Sequence, residues 1–408
     1  MKRVVITGMA GISPIGSDWQ TVSDNLEAGR NGIRTMTDWK RFTGLNTLLG
    51  APVTDFKKPA HYSRRAVRGM GRVALMATRA SELALDDAGL LDDESIRDGR
   101  MGVSYGSSTG STNAVTEFAT MLIDEVVDGI TATSYVRMMS HTAPVNIGVF
   151  FGLKGRVITT SSACTSGSQG IGYAYEAIRF GRQTMMLAGG AEELCPTEAA
   201  VFDTLYATST VNDSPESTPR PFDAERDGLV IGEGACTLVL EELEHARARG
   251  VHIYGEIVGF GTNSDGTHIT QPTRETMRQV MELSLEDADL DASAIGYVSA
   301  HGTATDRGDI AESHATHDIF GSRAPISSLK SYTGHTLGAC GALESWVALE
   351  MMNRNRFHHT NNLNKVDPEC ADLDYIVNEP REINCEYVMS NNFAFGGINT
   401  SLIFRRWP

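Results

Sequence analysis

A strand-like segment leads into a cysteine that is surrounded by small residues. Thr159–Ala163 precedes Cys164, and Thr165–Ser168 opens a glycine- and alanine-rich stretch that predicts a helix. A thiol at a helix N-terminus faces the positive end of the helix dipole, which lowers its pKa and favours the nucleophilic thiolate. The small neighbours leave room for a bulky substrate. Cys164 is therefore a candidate nucleophile, and the alternative is a buried structural cysteine, the commonest fate of a free thiol.

Two histidines occur in similar settings. His301 follows a strand-like segment and precedes the small residues Gly302–Thr305, while His335 lies within Lys330–Gly338, before a second glycine-rich helix start. Each histidine alone is more often structural, but cysteine–histidine sets act in covalent catalysis. The pattern therefore predicts nucleophilic catalysis at Cys164 that both histidines assist.

Two glycine-containing segments offer further chemistry. Asn391–Asn399 predicts a loop whose backbone N–H groups could face a developing oxyanion, although an ordinary turn is the alternative. Gly106–Gly110 matches G-x-S-x-G, which would make Ser108 a hydrolase nucleophile. We expect no strong helix directly after Gly110, and no partner motif accompanies Ser108, so the hydrolase is the weaker alternative. No set of three ligands predicts a metal site.

The composition excludes several classes of function. The 408 residues are 41% hydrophobic, enough for a large core in two domains or one double domain. Lys plus Arg number 35 and Asp plus Glu 51, giving a net charge of −16 that argues against general binding of nucleic acid or anionic membranes. Lys57–Arg72 is the exception, with six basic residues and no acidic one. This segment suits a small acidic partner, and a solvated helix face is the alternative.

The cysteine pattern and the N-terminus indicate a cytoplasmic protein. The six cysteines are widely spread without a C-x-x-C pair, which favours free thiols in a reducing compartment. The first apolar run reaches Gly8 almost at once and predicts a buried strand, not a signal peptide. No apolar run approaches the roughly 20 residues that cross a membrane.

Short apolar strands alternate with longer amphipathic helices, which predicts α/β layers. The predicted strands are Arg3–Thr7, Met101–Tyr105, Arg156–Thr159, Thr184–Ala188, Cys236–Leu240, Ile253–Gly259, Ile295–Ser299, Ala324–Ser327, Tyr387–Ser390 and Thr400–Phe404. The predicted helices include Val73–Ala88, Gly170–Arg179, Arg274–Ala288, Ala311–Ile319 and Gly341–Asn353. The two halves look alike, so we predict a duplicated unit with an N-terminal half at 1–250 that carries Cys164 and a C-terminal half at 251–408 that carries both histidines.

Four motifs together resemble those of the β-ketoacyl-acyl-carrier-protein synthases, the elongating condensing enzymes of bacterial fatty acid and type II polyketide synthesis. They are the Cys164 segment, His301–Thr305, Lys330–His335 and Asn392–Gly397, and Arg220–Gly228 resembles a further signature. The resemblance spans nearly the whole chain in the family's order. It implies a thiolase-like fold of two duplicated βαβ-type halves in five αβαβα layers, usually as a homodimer.

The resemblance also implies a reaction and roles for individual residues. The reaction is a decarboxylative Claisen condensation of malonyl-carrier protein with an acyl group on Cys164, which gives 3-oxoacyl-carrier protein and carbon dioxide. No metal or redox cofactor is expected, because the phosphopantetheine arm arrives on the carrier protein. The implied residues are Cys164, His301, His335 and Lys330 for catalysis, Phe395 and Phe393 for the oxyanion and gating, and Thr303, Thr305 and Thr270 for the pantetheine arm.

Further positions concern the acyl chain and the partners. Thr109, Tyr135 and Phe202 are the expected acyl-pocket residues, and Arg65 and Arg68 fall where the family docks its acidic carrier protein. Thr109 and Tyr135 depart from the residues common in fatty acid elongators, which favours a polyketide or polyene chain and makes a heterodimer with a chain-length-factor-like subunit the alternative to a homodimer.

Two related alternatives remain at this point. A non-catalytic chain-length partner typically lacks the nucleophilic cysteine, which is present here. A degradative thiolase would carry a second reactive cysteine near the C-terminal glycine-rich loop, and Asn391–Asn399 contains none. Another departure is Ala394, since family members usually have glycine between the two loop phenylalanines; the added Cβ restricts the backbone there.

Overall fold

The computed structural model describes all 408 residues as alternating strands and helices. The strands are β1 Val4–Ile12, β2 Arg34–Thr35, β3 Leu49–Ala51, β4 Met101–Gly106, β5 Val157–Thr159, β6 Met185–Glu192, β7 Ile231–Gly232, β8 Gly234–Glu242, β9 Gly255–Ser264, β10 Ile295–Ser299, β11 Pro325–Ser327, β12 Arg356–Phe357, β13 Asp374–Tyr375, β14 Arg381–Glu382, β15 Tyr387–Phe393 and β16 Ile398–Arg406. The helices are α1 Trp19–Glu27, α2 Arg72–Asp87, α3 Thr112–Asp124, α4 Ala132–Met138, α5 Thr142–Phe151, α6 Ser166–Arg179, α7 Pro196–Asp203, α8 Leu243–Arg249, α9 Arg274–Ala288, α10 Asp306–Phe320, α11 Lys330–Thr333 and α12 Cys340–Arg354.

The same arrangement of five strands occurs twice within one hydrogen-bonded run of 11 strands, and the remaining strand, β13, pairs with β11 at the outer edge. The first has the order β5-β4-β6-β8-β1 and the second β11-β10-β15-β16-β9. In each, the first three strands are parallel to one another, and the fourth and fifth strands each pair antiparallel with the strand before them. The sheets meet where Val4–Ile6 of β1 pairs with Gly255–Ile257 of β9. This matched topology is what a duplicated unit predicts, and Gly250 lies in the connection between the two sheets.

Helices cover both faces of each sheet. α2 and α5 pack on the outer face of the first sheet, and α9 and α10 on that of the second. α6 and α12 lie between the sheets and bury residues such as Ile171 and Trp346 in one shared core. The architecture is therefore the five-layered αβαβα arrangement that the resemblance implies.

The predicted elements all occur, but some of their bounds and two interpretations differ. β1 continues to Ile12, beyond the predicted end at Thr7, and α10 begins at Asp306 rather than Ala311. The expectation of no helix after Gly110 is wrong, because α3 begins at Thr112. The helix-face interpretation of the basic segment is also wrong, since Lys57–Gly71 forms turns before α2 begins.

None of the helices combines the length and the apolar character that crossing a bilayer requires.

Candidate active site

Cys164 lies in a tight turn between β5 and α6. Ala163 has φ of 50°, a left-handed conformation that is uncommon for a residue with a Cβ and that aims the next side chain inward. The turn is held by the Ser166 hydroxyl, which accepts the Ser162 N–H at 3.0 Å and donates to the Ala163 carbonyl at 2.7 Å. The turn therefore fixes the sulfur at the N-terminal end of α6, where it is buried.

His335 approaches the sulfur from the equivalent position of the second half. It precedes α12 as Cys164 precedes α6, and its Nε2 lies 3.0 Å from the Cys164 Sγ. The two helix starts can come this close because Gly167 has no side chain. A Cβ at this position would lie only 2.9 Å from the Gly338 carbonyl oxygen. Nothing bonds to the buried Nδ1 of His335, so neither tautomer of this ring is fixed.

His301 stands beside His335, with ring centroids 5.2 Å apart and ring planes at 86°. The Lys330 Nζ lies 3.1 Å from its Nδ1, and the Asn392 side-chain amide lies 3.3 Å away. An ammonium group and an amide nitrogen only donate, so Nδ1 must accept and the ring proton must sit on Nε2. Glu344 holds both donors in place by accepting from Lys330 and, at 2.6 Å, from Asn392. The network thus presents the Nε2–H of His301 as a fixed donor.

Both histidines are neutral in this environment. Burial first, and then the Lys330 charge, hold the pKa of His301 and of His335 well below the ordinary value. Lys330 keeps its proton, because although burial lowers its pKa, the nearby Cys340 and Glu344 raise it above the ordinary value. The site therefore has one fixed cation and two uncharged imidazoles.

The resting cysteine is a thiol, which corrects the prediction of a lowered pKa. Burial raises the pKa of Cys164 to about 11, although the backbone N–H of Phe395 and the Lys330 charge act in the opposite direction. The helix end still favours the thiolate, but desolvation is the largest effect. The sulfur therefore needs a base during attack, and the Nε2 of His335 lies within hydrogen-bonding distance.

The C-terminal glycine-rich loop supplies backbone donors at the sulfur. The N–H groups of Phe395 and of Cys164 itself both approach Sγ. The Phe395 ring packs edge-on against Phe202 of α7, with centroids 5.4 Å apart. Gly396 and Gly397 adopt the left-handed conformations of this loop, with φ of 92° and 73°, whereas Ala394 does not. The extra Cβ of Ala394 is therefore compatible with the loop as it stands.

A cavity of about 540 Å³ leads from the surface to the thiol. It is lined by Cys164, both histidines, Phe202, Phe393 and Phe395 at its inner end and by Thr270, Thr303 and Thr305 towards its mouth. Lys330 lies behind His301 and does not line it. The structure therefore brings together the predicted catalytic, gating and pantetheine-arm residues and also places Phe202 among them.

Buried acids that the sequence analysis did not identify position the His301 loop. Glu312 accepts the N–H groups of His301 and Gly302, both at 2.7 Å, and Asp309 accepts those of Thr303 and Ala304 at 2.9 and 3.2 Å. Burial raises the pKa of Glu312 to about 8. Their only sequence signal is that two acids, three residues apart, occupy the inner face of an amphipathic helix.

Other predicted residues lie outside the cavity. Thr109 and Tyr135 are exposed and do not line it in the single chain, so their role in an acyl pocket stays a prediction. Arg65 and Arg68 are exposed and form no ion pair, which leaves both free for an acidic partner. Their docking role also stays a prediction.

The hydrolase alternative finds no support in the geometry. The hydroxyl of Ser108 is buried and has no hydrogen-bond partner, so no histidine acts on it as a base. Gly106–Gly110 instead follows β4 as His301–Thr305 follows β10, which makes the two segments counterparts in the duplicated halves.

The catalytic side chains also have a ligand spacing that a soft metal could use. The ligand atoms of Cys164, His301 and His335 lie within 4.8 Å of one another. The Lys330 ammonium beside His301 disfavours a second cation there. The predicted absence of a metal requirement stays a prediction.

The chain matches two family models along most of its length. Residues 1–246 match the model for the beta-ketoacyl synthase N-terminal domain, and residues 254–364 match that for the C-terminal domain. The 3-oxoacyl-[acyl-carrier-protein] synthase 1 of Haemophilus influenzae is 37% identical over 411 residues, covering 100% of both chains.

Solved structures agree over the full length. A crystal structure of a beta-ketoacyl synthase from Burkholderia phymatum STM815 has a TM-score of 0.99 and 64% identity. The ishigamide ketosynthase/chain length factor has a TM-score of 0.89 and 31% identity. A structure of a type II polyketide acyl-carrier protein in complex with its ketosynthase bound to the hexaketide has a TM-score of 0.89 and 30% identity. Each covers 100% of both chains. With a Cys–His–His site on a duplicated αβαβα fold, the chain belongs to the β-ketoacyl synthase family.

Proposed function

We propose that this protein is a 3-oxoacyl-acyl-carrier-protein synthase that elongates an acyl chain held on Cys164. The single observation that carries the proposal is the convergence of a thiol, a base at 3.0 Å and a fixed imidazole donor at the end of one cavity. An acyl-transfer site needs a nucleophile, a proton acceptor and oxyanion donors, and this cavity contains all three.

The first half-reaction loads the enzyme. The Cys164 thiol gives its proton to His335 as the sulfur attacks the acyl thioester of a carrier protein. The N–H groups of Phe395 and Cys164 hold the oxyanion. The carbon–sulfur bond to the pantetheine arm then breaks, and the departing thiolate takes the proton back from His335. His335 returns to its neutral state and the acyl group remains on Cys164.

The second half-reaction breaks one carbon–carbon bond and forms another. The neutral His301 donates from Nε2 to the thioester oxygen of malonyl-carrier protein. His335 donates there as well after its ring proton has moved from Nδ1 to Nε2 by exchange with water, which its unpartnered Nδ1 permits. Carbon dioxide leaves, and its electron pair becomes an enolate stabilised by these donors. The α-carbon attacks the acyl group on Cys164, the Cys164 thiolate leaves and takes up a proton from water to restore the resting thiol, and 3-oxoacyl-carrier protein is released. Because decarboxylation supplies the driving force, the scheme uses no metal or redox cofactor.

The relatives favour an acyl carrier protein as partner. A ketosynthase with a TM-score of 0.89 to this chain is in complex with an acyl-carrier protein. We propose that Arg65 and Arg68, exposed and without ion pairs, bind the acidic carrier protein while its arm enters past Thr270, Thr303 and Thr305.

A dimer is the assembly that the surface supports best. β5 is a sheet edge with pairing on one side only, and Val157 on it is 53% exposed. Val149 of the adjacent α5 is 77% exposed, and α3 exposes Leu122 and Ile123. An unprotected edge beside exposed apolar residues invites pairing with a second chain. A homodimer is the simplest arrangement, and a heterodimer with a chain-length-factor-like subunit is the second, since one similar structure is a ketosynthase/chain length factor.

All six cysteines carry free thiols, the state expected in the reducing cytoplasm. The cytoplasmic location stays a prediction, as does the choice between a fatty acid and a polyketide or polyene pathway.

The proposal is tested by reconstituting one elongation. The enzyme is incubated with an acyl-carrier protein and malonyl-carrier protein, and the products are followed by mass spectrometry and by carbon dioxide release. We expect one carbon dioxide per 3-oxoacyl-carrier protein, and no product with Cys164→Ala. Hydrolysis of the acyl-carrier protein without elongation would contradict the proposal.

A further inference from the structure

Glu198 is a buried carboxyl group that nothing in the chain satisfies. The residue is 6% exposed, and neither carboxyl oxygen has a hydrogen-bond partner. It forms no ion pair. The Cys195 N–H at the start of α7 is close enough to favour the charged form but does not complete a capping bond. Buried polar groups are nearly always paired, so a carboxyl without a partner indicates a missing ligand or water.

Glu198 lies beside the inner end of the active-site cavity. It precedes Phe202 by four residues on α7, so the two side chains share a helix face. Phe202 lines the cavity and packs on Phe395. Ala199, the next residue, belongs to the same buried cluster as Cys164. Glu198 itself does not line the cavity from the surface to the thiol, but it lies one helical turn from Phe202, which does.

Two neighbouring side chains, Glu192 and Ser108, also have polar atoms that complete no hydrogen bond. Glu192 uses Oε2 to accept the N–H groups of Ser108 at 2.8 Å and of Gly338 at 3.1 Å, which leaves Oε1 without a partner. The hydroxyl of Ser108 is also buried; it is close enough to Glu192 to favour the charged carboxylate but completes no hydrogen bond. Glu192 is near both Glu198 and Cys164, since its charge raises the pKa of each. Glu198 and Ser108, each next to Glu192, therefore present free hydrogen-bonding capacity together with that residue.

Resting on the acyl transfer proposed above, we propose that Glu198, with Glu192 and Ser108, forms a polar end of the acyl pocket that selects chains bearing a hydroxyl group over saturated hydrocarbon chains. Burial and the neighbouring Glu192 charge raise the pKa of Glu198 well above its ordinary value, so its neutral form can both donate and accept. A hydroxyl group on the chain also does both and would pair with it. A saturated chain would leave the acids unpaired, which corresponds to a loss of about 10- to 100-fold in loading.

The test compares chains of equal length. Carrier proteins bearing hexanoyl to dodecanoyl chains, each with and without a terminal hydroxyl group, are offered to the full-length enzyme. Loading on Cys164 is followed by intact mass, and the ratio of the rates for the two chains is the readout. We expect the wild type to favour the hydroxylated chain by about tenfold or more at one or more lengths.

Variants at Glu198 test whether this residue causes the preference for the hydroxylated chain. Glu198→Met should abolish the preference, and Glu198→Gln, which still donates and accepts, should retain part of it. Glu216→Met makes the same change at an exposed glutamate and should keep the wild-type ratio. No preference at any length in the wild type, or an unchanged ratio in Glu198→Met, would overturn the inference.

Two outcomes separate this inference from the proposed function. If saturated chains load on Cys164 and the ratio ignores Glu198, only the inference fails; if no chain loads, acyl transfer itself fails. Thermal melting tests the premise independently. Glu198→Met should raise the melting temperature by a few degrees, because an apolar side chain replaces an unpaired carboxyl. A lower melting temperature would mean that Glu198 has stabilising partners and would refute the polar pocket.

Discussion

Replacing His301 with alanine should separate the two half-reactions. The Nδ1 of His301 is occupied by Lys330 and Asn392, so its catalytic contribution is the Nε2–H that faces the malonyl thioester oxygen. His335, not His301, contacts the Cys164 sulfur. Loading should therefore survive the substitution, while decarboxylation should lose one of its two donors.

The size of the effect follows from the setting of that donor. It is buried, fixed in one tautomer and aimed at a developing charge. Removal of one such oxyanion donor costs about 10²- to 10³-fold in rate, or about 3–4 kcal/mol of transition-state stabilisation. We expect carbon dioxide release from malonyl-carrier protein to fall by this factor, and acyl loading of Cys164 to fall by less than about tenfold, because its base and oxyanion donors remain.

The assay measures the half-reactions separately. Stopped incubations with acyl-carrier protein give the loading rate by intact mass, and labelled malonyl-carrier protein gives the rate of carbon dioxide release. His317→Ala, which removes an exposed histidine on α10, is the matched control and should change neither rate. The reasoning is refuted if His301→Ala slows loading as much as decarboxylation, or if decarboxylation stays within about threefold of the wild-type rate.

Three further predictions concern the surface and the thiol. Arg65→Glu with Arg68→Glu should raise the KM for carrier-bound substrates by about tenfold or more and leave reaction of Cys164 with small alkylating reagents unchanged. Val149→Asp with Val157→Asp should convert a dimer to monomers in sedimentation velocity, because charges would replace exposed apolar residues at the sheet edge. The alkylation rate of Cys164 should rise about tenfold per pH unit from pH 7 to 9, because the reactive thiolate is the minor form below its raised pKa of about 11.

Each of these has a control on the same chain. Arg30→Glu with Arg323→Glu reverses two exposed arginines outside the basic segment and should leave the KM unchanged. Leu283→Asp changes a partly exposed residue on α9 and should leave the dimer intact. An unchanged KM in the Arg65 and Arg68 variant, a persistent dimer in the Val149 and Val157 variant, or an alkylation rate that is flat across this pH range would each contradict the corresponding argument.

The hydrophobic periodicity of the sequence is sufficient to predict the strands and helices, but it does not give the bounds of those that contain glycines. β1 extends past Gly8 and Gly11 because neighbouring layers press against the strand there. A Cβ on Gly8 would lie 2.3 Å from the Ala84 carbonyl oxygen, and one on Gly11 would lie 2.1 Å from the Trp346 ring. Such contacts between layers are not visible in local sequence, where glycine predicts a break. The start of α10 was missed for a similar reason, since Gly308 interrupts its first turn.

The candidate site likewise contains residues that the sequence identifies and residues that it does not. Cys164, His301 and His335 stand out because each lies among small residues, at the end of a predicted strand or before a predicted helix. Their partners do not, because Lys330 meets His301 across 29 positions and Glu344 meets Asn392 across 48. The sequence does not give the protonation state of Cys164 either. Burial determines that state, and burial depends on how the layers pack. The unpaired state of Glu198 likewise becomes visible only when its surroundings are known.

The most direct test of the central claim is the mass of the enzyme after incubation with an acyl-carrier protein alone. The account predicts a mass increase of one acyl group, located by peptide mapping on the peptide that contains Cys164. Cys164→Ala should abolish the adduct, and Cys385→Ala, which removes another buried thiol, should retain it. An adduct that persists in Cys164→Ala, or one that maps to Ser108, would contradict the account.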